Sequence, residues 1–372
     1  MTHNATNKTW LVLPIALILA ACGGGGGGDD GSTSGGSSNN TTAGSTATPT
    51  PTPTASSGAT PTPTPTATPT PTPSSADQTS FAAINTSNRS EVIARYQDGL
   101  VPLKATTFSW TGNVSTCTPG DTPLNYKNAE VRLVNYYRAM AGLPGNVTLS
   151  LDESARAQAA ALMMDANDQL SHAPTTSWIC YTAVGAAAAG KSNLALSSGA
   201  LNSGVPGMGG IGGIGLYVGD AGVTSLGHRR WVLYSRLSAV GTGDTPSANA
   251  LYVIDNVGPV YTPANGTPWP PAGYVPRPVA SPSQQWSFSY PGADFSNSTV
   301  ALTDDANNAI ATSNVGKLDN GYGDNTFSWN ISSSATGWDR SPGDTKINVT
   351  VGNVLIGGVA RSFSYTVTFI TP

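Results

Sequence analysis

Residues 23–76 contain almost nothing that a folded core could bury, and this stretch divides the chain more sharply than any other feature. It opens with a run of glycines at 23–28, continues in Ser, Thr and Asn, and over positions 48–73 mostly alternates Thr with Pro. Such a composition cannot bury enough apolar surface to offset the entropy of ordering a chain. The Gly/Ser half is a flexible coil, whereas Thr-Pro repeats favour polyproline II at about 3.1 Å per residue, a reach of roughly 80 Å for that run. Residues 22–76 therefore read as a disordered stalk. The rest of the chain is sparsely charged, with 17 basic and 21 acidic residues in all and a net charge of −4. That excludes a basic surface able to hold nucleic acid by counterion release, so no nucleic-acid partner is expected.

Upstream of the stalk, Lys8 precedes an apolar run at 10–21 that is too short to span a bilayer but has the length of a secretory h-region. The run ends Leu19-Ala20-Ala21-Cys22 and resembles a bacterial lipobox. That resemblance implies a lipoprotein signal peptide at 1–21 and diacylation of the Cys22 thiol, after which Cys22 becomes the N-terminus. Gly23 after the lipidated Cys implies sorting to the outer membrane or cell surface. Each buried acyl CH₂ contributes about 0.8 kcal/mol, so the membrane is the expected partner through Cys22.

Two patterning styles follow the stalk. Ser150 and Glu153 match a capping box, and Leu151, Ala155, Ala159, Leu162 and Met163 then recur at helical spacing. An earlier helix over 128–141 is stopped by Gly142 and Pro144. From Trp286 onward the period becomes two, with Phe327 and Trp329, then Ile347, Val349 and Val351, then Phe363, Tyr365, Val367 and Phe369 on one side of successive strands. The expectation is an α+β chain in two parts. A helix-bearing domain covers 77–275, and a small all-β, immunoglobulin-like sandwich covers 283–372, with the Pro-rich passage 262–282 at the junction.

With Cys22 assigned to lipid, Cys117 and Cys180 remain, and in an oxidising compartment they read as one disulfide; two separate buried thiols are the alternative. Closing that loop would stabilise the fold by about 4 kcal/mol on the chain-entropy model. His3 leaves with the signal, so His172 and His228 are the histidines of the mature chain. They sit in the words Leu170-Ser171-His172 and Gly227-His228-Arg229. Together with Leu133-Val134-Asn135-Tyr136-Tyr137-Arg138, Ala141-Gly142-Leu143-Pro144, Ser192-Asn193-Leu194-Ala195 and Val240-Gly241-Thr242-Gly243, they resemble the CAP superfamily of SCP-like extracellular proteins over about 126–255.

The resemblance implies a CAP-type α-β-α sandwich with a cleft lined by two histidines and two glutamates. His172 and His228 match the histidines. Ser192 stands where the family has its first Glu, next to Asn193, and Asp220 is the carboxylate available to replace the second. The expected ligand-binding cleft is thus His172, His228, Ser192, Asn193 and Asp220. His172 and His228 could also hold a divalent metal such as zinc if a carboxylate or water completed the tetrahedron. A serine hydrolase is disfavoured, because Gly222-Val223-Thr224-Ser225-Leu226-Gly227 places its first Gly one position too early for a nucleophile elbow. Arg229 and Arg230 read either as anion ligands or as structural ion pairs, and the Gly-rich run at 208–216 reads as a loop at the cleft rim. The leading reading is a lipid-anchored extracytoplasmic CAP-domain protein that binds a small molecule or lipid without catalysis. A metal-dependent hydrolase or peptidase using His172 and His228 is the alternative, and a surface adhesion protein is the second.

Overall fold

Ser150 caps the helix expected after it: its side chain accepts from the Glu153 amide at 3.3 Å. The computed structural model describes residues 17–20, 78–197, 211, 213–331 and 343–372, which belong to one compact unit. The stalk at 22–76 and the anchor at Cys22 lie outside the described residues. The principal helices are α1 (Leu124–Met140), α2 (Leu151–Asn167), α3 (Ala183–Ala189), α4 (Ile214–Gly219) and α5 (Gly227–Val232). α1 ends where Gly142 turns at φ +75°, before Pro144. It is buried on nearly every side, polar residues included, because it is covered all round rather than lying on a surface.

The first sheet contains β1 (Leu17–Ala20), β2 (Thr148–Leu149), β3 (Ser192–Ser197), β4 (Ala239–Asp244) and β5 (Ala248–Tyr252), in the order β1-β3-β5-β4-β2. β1 belongs to the segment read as a signal peptide, and its backbone runs antiparallel to β3, with Leu17 opposite Ser197. Strand alternation divides β3 between two cores. Leu194 and Leu196 join Ala157, Ala161 and Met164 of α2 and Ala188 and Ala189 of α3. Ala195 faces the opposite core, with α1, α4 and α5.

The word Val240-Gly241-Thr242-Gly243 has a packing reason. A Cβ added at Gly241 would stand 2.4 Å from the Glu153 carbonyl carbon, and one at Gly243 would stand 2.1 Å from the Gln158 amide nitrogen. The backbone of α2 thus lies directly on β4. Its side chains also seal that strand: the Thr242 amide donates to Ser154 Oγ (3.1 Å), the Asp244 amide donates to Gln158 Oε1 (2.9 Å), and Gln158 Nε2 donates to the Asp244 carbonyl (2.7 Å). Strand hydrogen-bonding capacity that would otherwise stay unpaired is met by a helix.

The C-terminal strands form as their alternation predicts. β6 (Thr267–Trp269), β8 (Trp286–Ser289), β11 (Thr312–Lys317) and β12 (Thr326–Ile331) make a four-stranded sheet in the order β11-β12-β8-β6. β7 (Gly273–Pro276), β9 (Thr299–Asp304), β10 (Ala309–Ile310), β13 (Thr345–Ile356) and β14 (Val359–Ile370) make a five-stranded one in the order β10-β9-β13-β14-β7. Rings from the two sheets meet, Trp286 with Phe369 at 5.9 Å and Phe288 with Phe363 at 5.0 Å. The Pro-rich passage read as a junction supplies β6 and β7, so the sheets take their first strands upstream of position 283. Trp269 of β6 also meets Tyr137 of α1 edge to face at 5.9 Å, within a hydrophobic core that runs from Phe81 to Ile370. The chain is a mixed α+β fold. Cys117 and Cys180 form the expected disulfide, with Cα atoms 5.0 Å apart. It pins the segment before α1 to the loop before α3.

Candidate functional site

The site is assembled from two short helices. α4 begins inside the Gly-rich run at 208–216 expected to be a loop, and residues 198–210 and 212 lie outside the described residues. Asp220 terminates α4 in the left-handed region at φ +51°, a conformation in which Asp is tolerated better than most side chains. Leu226 precedes α5 with φ +51° as well, and it is fully buried. A bulky side chain there carries backbone strain of about 1–3 kcal/mol, held by its packing. The two turns place Asp220 against the first turn of α5. His228 Nδ1 donates to Asp220 Oδ1 at 2.7 Å, and Asp220 Oδ2 accepts the Arg229 amide at 3.1 Å.

This pair fixes the histidine tautomer. With its proton on Nδ1 facing the carboxylate, the ring presents the Nε2 lone pair. Both side chains are fully buried, and Nε2 has no hydrogen-bond partner among the described residues. The Tyr217 ring stacks on the imidazole at 5.4 Å and an interplanar angle of 23°. Asn193 of β3 donates from Nδ2 to the His228 carbonyl at 3.1 Å, and its buried Oδ1 has no partner among the described residues. Among those residues both atoms depart from the general rule that buried polar atoms are satisfied.

Three of the expected cleft residues, His228, Asp220 and Asn193, are thus brought together. The other two are tied to the end of α3 instead. His172 is half-buried and donates from Nδ1 to the Ala189 carbonyl at 2.8 Å, and Ser192 Oγ donates to the Ala188 carbonyl at 2.8 Å. Ala188 and Ala189 belong to the core on the α2 side of β3. Arg229 and Arg230 point their guanidinium groups at backbone carbonyls rather than at an open surface. Arg229 donates to the carbonyls of Val218 (2.7 Å), Gly219 (2.8 Å) and Gln285 (2.7 Å) and to Ser287 Oγ (3.3 Å). Arg230 donates to the carbonyls of Asp319 (2.8 Å) and Asp324 (3.3 Å) and lies over the Tyr322 ring at 5.2 Å. Burial lowers both guanidinium pKa values to about 10.

Sequence reasoning missed an acidic cluster behind Tyr217. Glu130 of α1 and Asp244 of β4 are both fully buried and share their partners. Thr242 Oγ1 donates to Glu130 Oε2 at 2.6 Å, and Asn249 Nδ2 lies 2.8 Å from Asp244 Oδ1 and 3.2 Å from Glu130 Oε1. Burial, then the neighbouring Asp244 charge, push the Glu130 carboxyl well above its ordinary range, so the pair holds a proton. The Tyr217 hydroxyl donates to Asn249 Oδ1 at 2.7 Å. One tyrosine thus touches both the His228 ring and the amide that grips the acid pair. The signal that could have found the pair was Glu130 within a helix otherwise rich in apolar and aromatic residues, opposite an Asp ending a Gly-Thr-Gly strand. No group of three or more His, Cys, Asp or Glu side chains arranged to hold a metal ion is found among the described residues. No protein-family model matches this chain, and no characterised protein matches it.

Proposed function

We propose that the chain is a lipid-anchored CAP-type protein of a bacterial envelope that binds a small molecule, lipids included, at His228, without catalysis. The observation that carries this reading is the buried His228 Nε2, which has no hydrogen-bond partner among the described residues while Asp220 holds Nδ1, on a residue whose carbonyl is bonded by Asn193, itself with a buried Oδ1 unpartnered among those residues. A ligand bearing hydroxyl or amine donors would satisfy such an atom, which otherwise costs about 1–3 kcal/mol of unmet hydrogen bonding. The two covered faces of the first sheet support a CAP-type α-β-α arrangement, and the two packed C-terminal sheets support an immunoglobulin-like description. The metal-dependent hydrolase and adhesion readings have no comparable observation in their favour.

The test is unbiased mass spectrometry of small molecules that co-purify with the full chain. At least one species is expected with the wild type and absent from His228→Ala, and Asp220→Ala should lose most of it by releasing the tautomer. Identical small-molecule profiles for wild type and both variants would refute the reading. The anchor is tested separately: Cys22→Ser should move the protein from the membrane fraction to the soluble one, because diacylglycerol attachment requires the thiol. Cleavage before Cys22 would also remove β1 and make β3 the edge of its sheet.

A further inference from the structure

A concavity lies where the end of α1 meets the turn at 263–266 and β14. It is a cavity of about 530 Å³ whose lining includes Tyr261, Phe363, Tyr365, Asn265, Thr86 and Met140. None of its lining residues is Asp, Glu, Lys, Arg or His. We propose that this cavity binds a neutral saccharide.

The chemistry of the walls selects the ligand class. An ionised ligand would lose hydration on entry and meet no countercharge, a heavy cost in a partly enclosed space. Aromatic rings supply broad apolar surface: Tyr261 is 37% exposed, and Phe363 and Tyr365 are backed by Phe288 at 5.0 and 6.4 Å. A plain acyl chain would suit those rings but would leave the polar wall groups unmet. Those groups belong to Thr86, Asn265, Ser362 and Ser364. The ligand must therefore combine an apolar face with uncharged oxygens, as a sugar ring does.

Size and rigidity agree. The same volume of liquid would hold on the order of eighteen waters at about 30 Å³ each, room for a mono- or disaccharide. One wall is a turn in which the Gly266 amide donates to the Pro263 carbonyl at 3.1 Å. Gly266 has φ +68°, and an added Cβ there would stand 2.2 Å from Phe288, so that turn is seated against the ring. A wall fixed in this way loses little entropy when a ligand enters.

The experiment is saturation-transfer NMR and calorimetry on the full chain with cellobiose and N,N′-diacetylchitobiose. At least one should bind with a dissociation constant in the millimolar range or below. Tyr261→Ala should weaken binding about tenfold by removing an aromatic face. Asn265→Ala should weaken it about fivefold while leaving the unfolding midpoint unchanged, because Asn265 is exposed on the turn that lines the cavity. That combination separates a ligand contact from a structural role. Absence of binding by both sugars, or equal binding by wild type and both variants, would overturn the proposal. So would occupancy of this cavity by dodecanol or tetramethylammonium with no competition from either sugar.

Discussion

Arg229→Met is expected to lower the unfolding free energy of the full chain by about 4 kcal/mol, read from urea denaturation at neutral pH. Methionine fills much of the same space, so the loss isolates the guanidinium. That group satisfies three carbonyls and one hydroxyl, and two of the carbonyls, Val218 and Gly219, end the helix that presents Asp220. Removing it orphans buried acceptors at about 1–3 kcal/mol each, partly offset by ending the burial of a charge. Ser287 lies on β8 and Gln285 just before it, so the same side chain fastens the Asp220–His228 pair to the C-terminal sheets. Arg229→Lys should recover less than half of the loss, since one ammonium cannot reach acceptors spread around a planar fork. A change of less than about 1 kcal/mol in Arg229→Met would show that water replaces the guanidinium at no cost.

Glu130→Gln is expected to abolish a fall in stability with rising pH. The folded-state pKa of Glu130 is raised, so the folded chain binds a proton that the unfolded chain releases above its ordinary value near 4.5. Stability from this group is complete below that value and is lost as pH rises, by up to about 1.4 kcal/mol per pH unit until the folded-state pKa is reached. Other charges near the pair are few. Lys127 of α1 opposes the shift, but its ammonium is committed to Asp121 and to Thr122. Tyr126 has its own pKa raised by burial and by the two acids, so it stays neutral. Glutamine can donate to Asp244 as the protonated acid does, while Thr242 turns its hydroxyl toward Asp244 Oδ2, now 3.3 Å away. Urea titrations at pH 5, 7 and 8.5 should give a falling series for the wild type and a much flatter one for Glu130→Gln. Parallel series would mean that the pair holds no shared proton.

What could be read from the sequence was what depends on near neighbours. The Ser150 cap, the Gly142 stop and the alternation along β12, β13 and β14 are decided within a few residues, and each appears where its pattern places it. The Asp304–Asn308 turn is equally local, its carboxylate accepting from the amides of Ala306 and Asn308. Cys117 with Cys180 was legible by arithmetic. The acid pair was not, because Glu130 and Asp244 lie far apart in sequence and a helical Glu reads as solvent-facing until the packing of α1 is known. Nor was α4, since Gly213, Gly215 and Gly219 argue against a helix that tertiary contacts nonetheless impose through buried Ile214, Tyr217 and Val218. At the candidate site, Asp220 and His228 were named only through the family resemblance, whereas the bond of His172 to the end of α3 depends on which side of β3 each loop returns.

The seat of β14 between β13 and β7 also sets when this protein can fold. Phe369 and Ile370 are fully buried, and β7, far upstream in the chain, pairs in parallel with the strand that carries them. Until β14 has been made, β7 lacks that neighbour and Trp286 lacks the Phe369 ring that packs on it. Closing contacts across so much intervening chain is slow. The two C-terminal sheets therefore close only after β14 is available, however early their other strands emerge. The same delay leaves Trp286 and its neighbours bare in the interval, a window in which unpaired strands can associate wrongly.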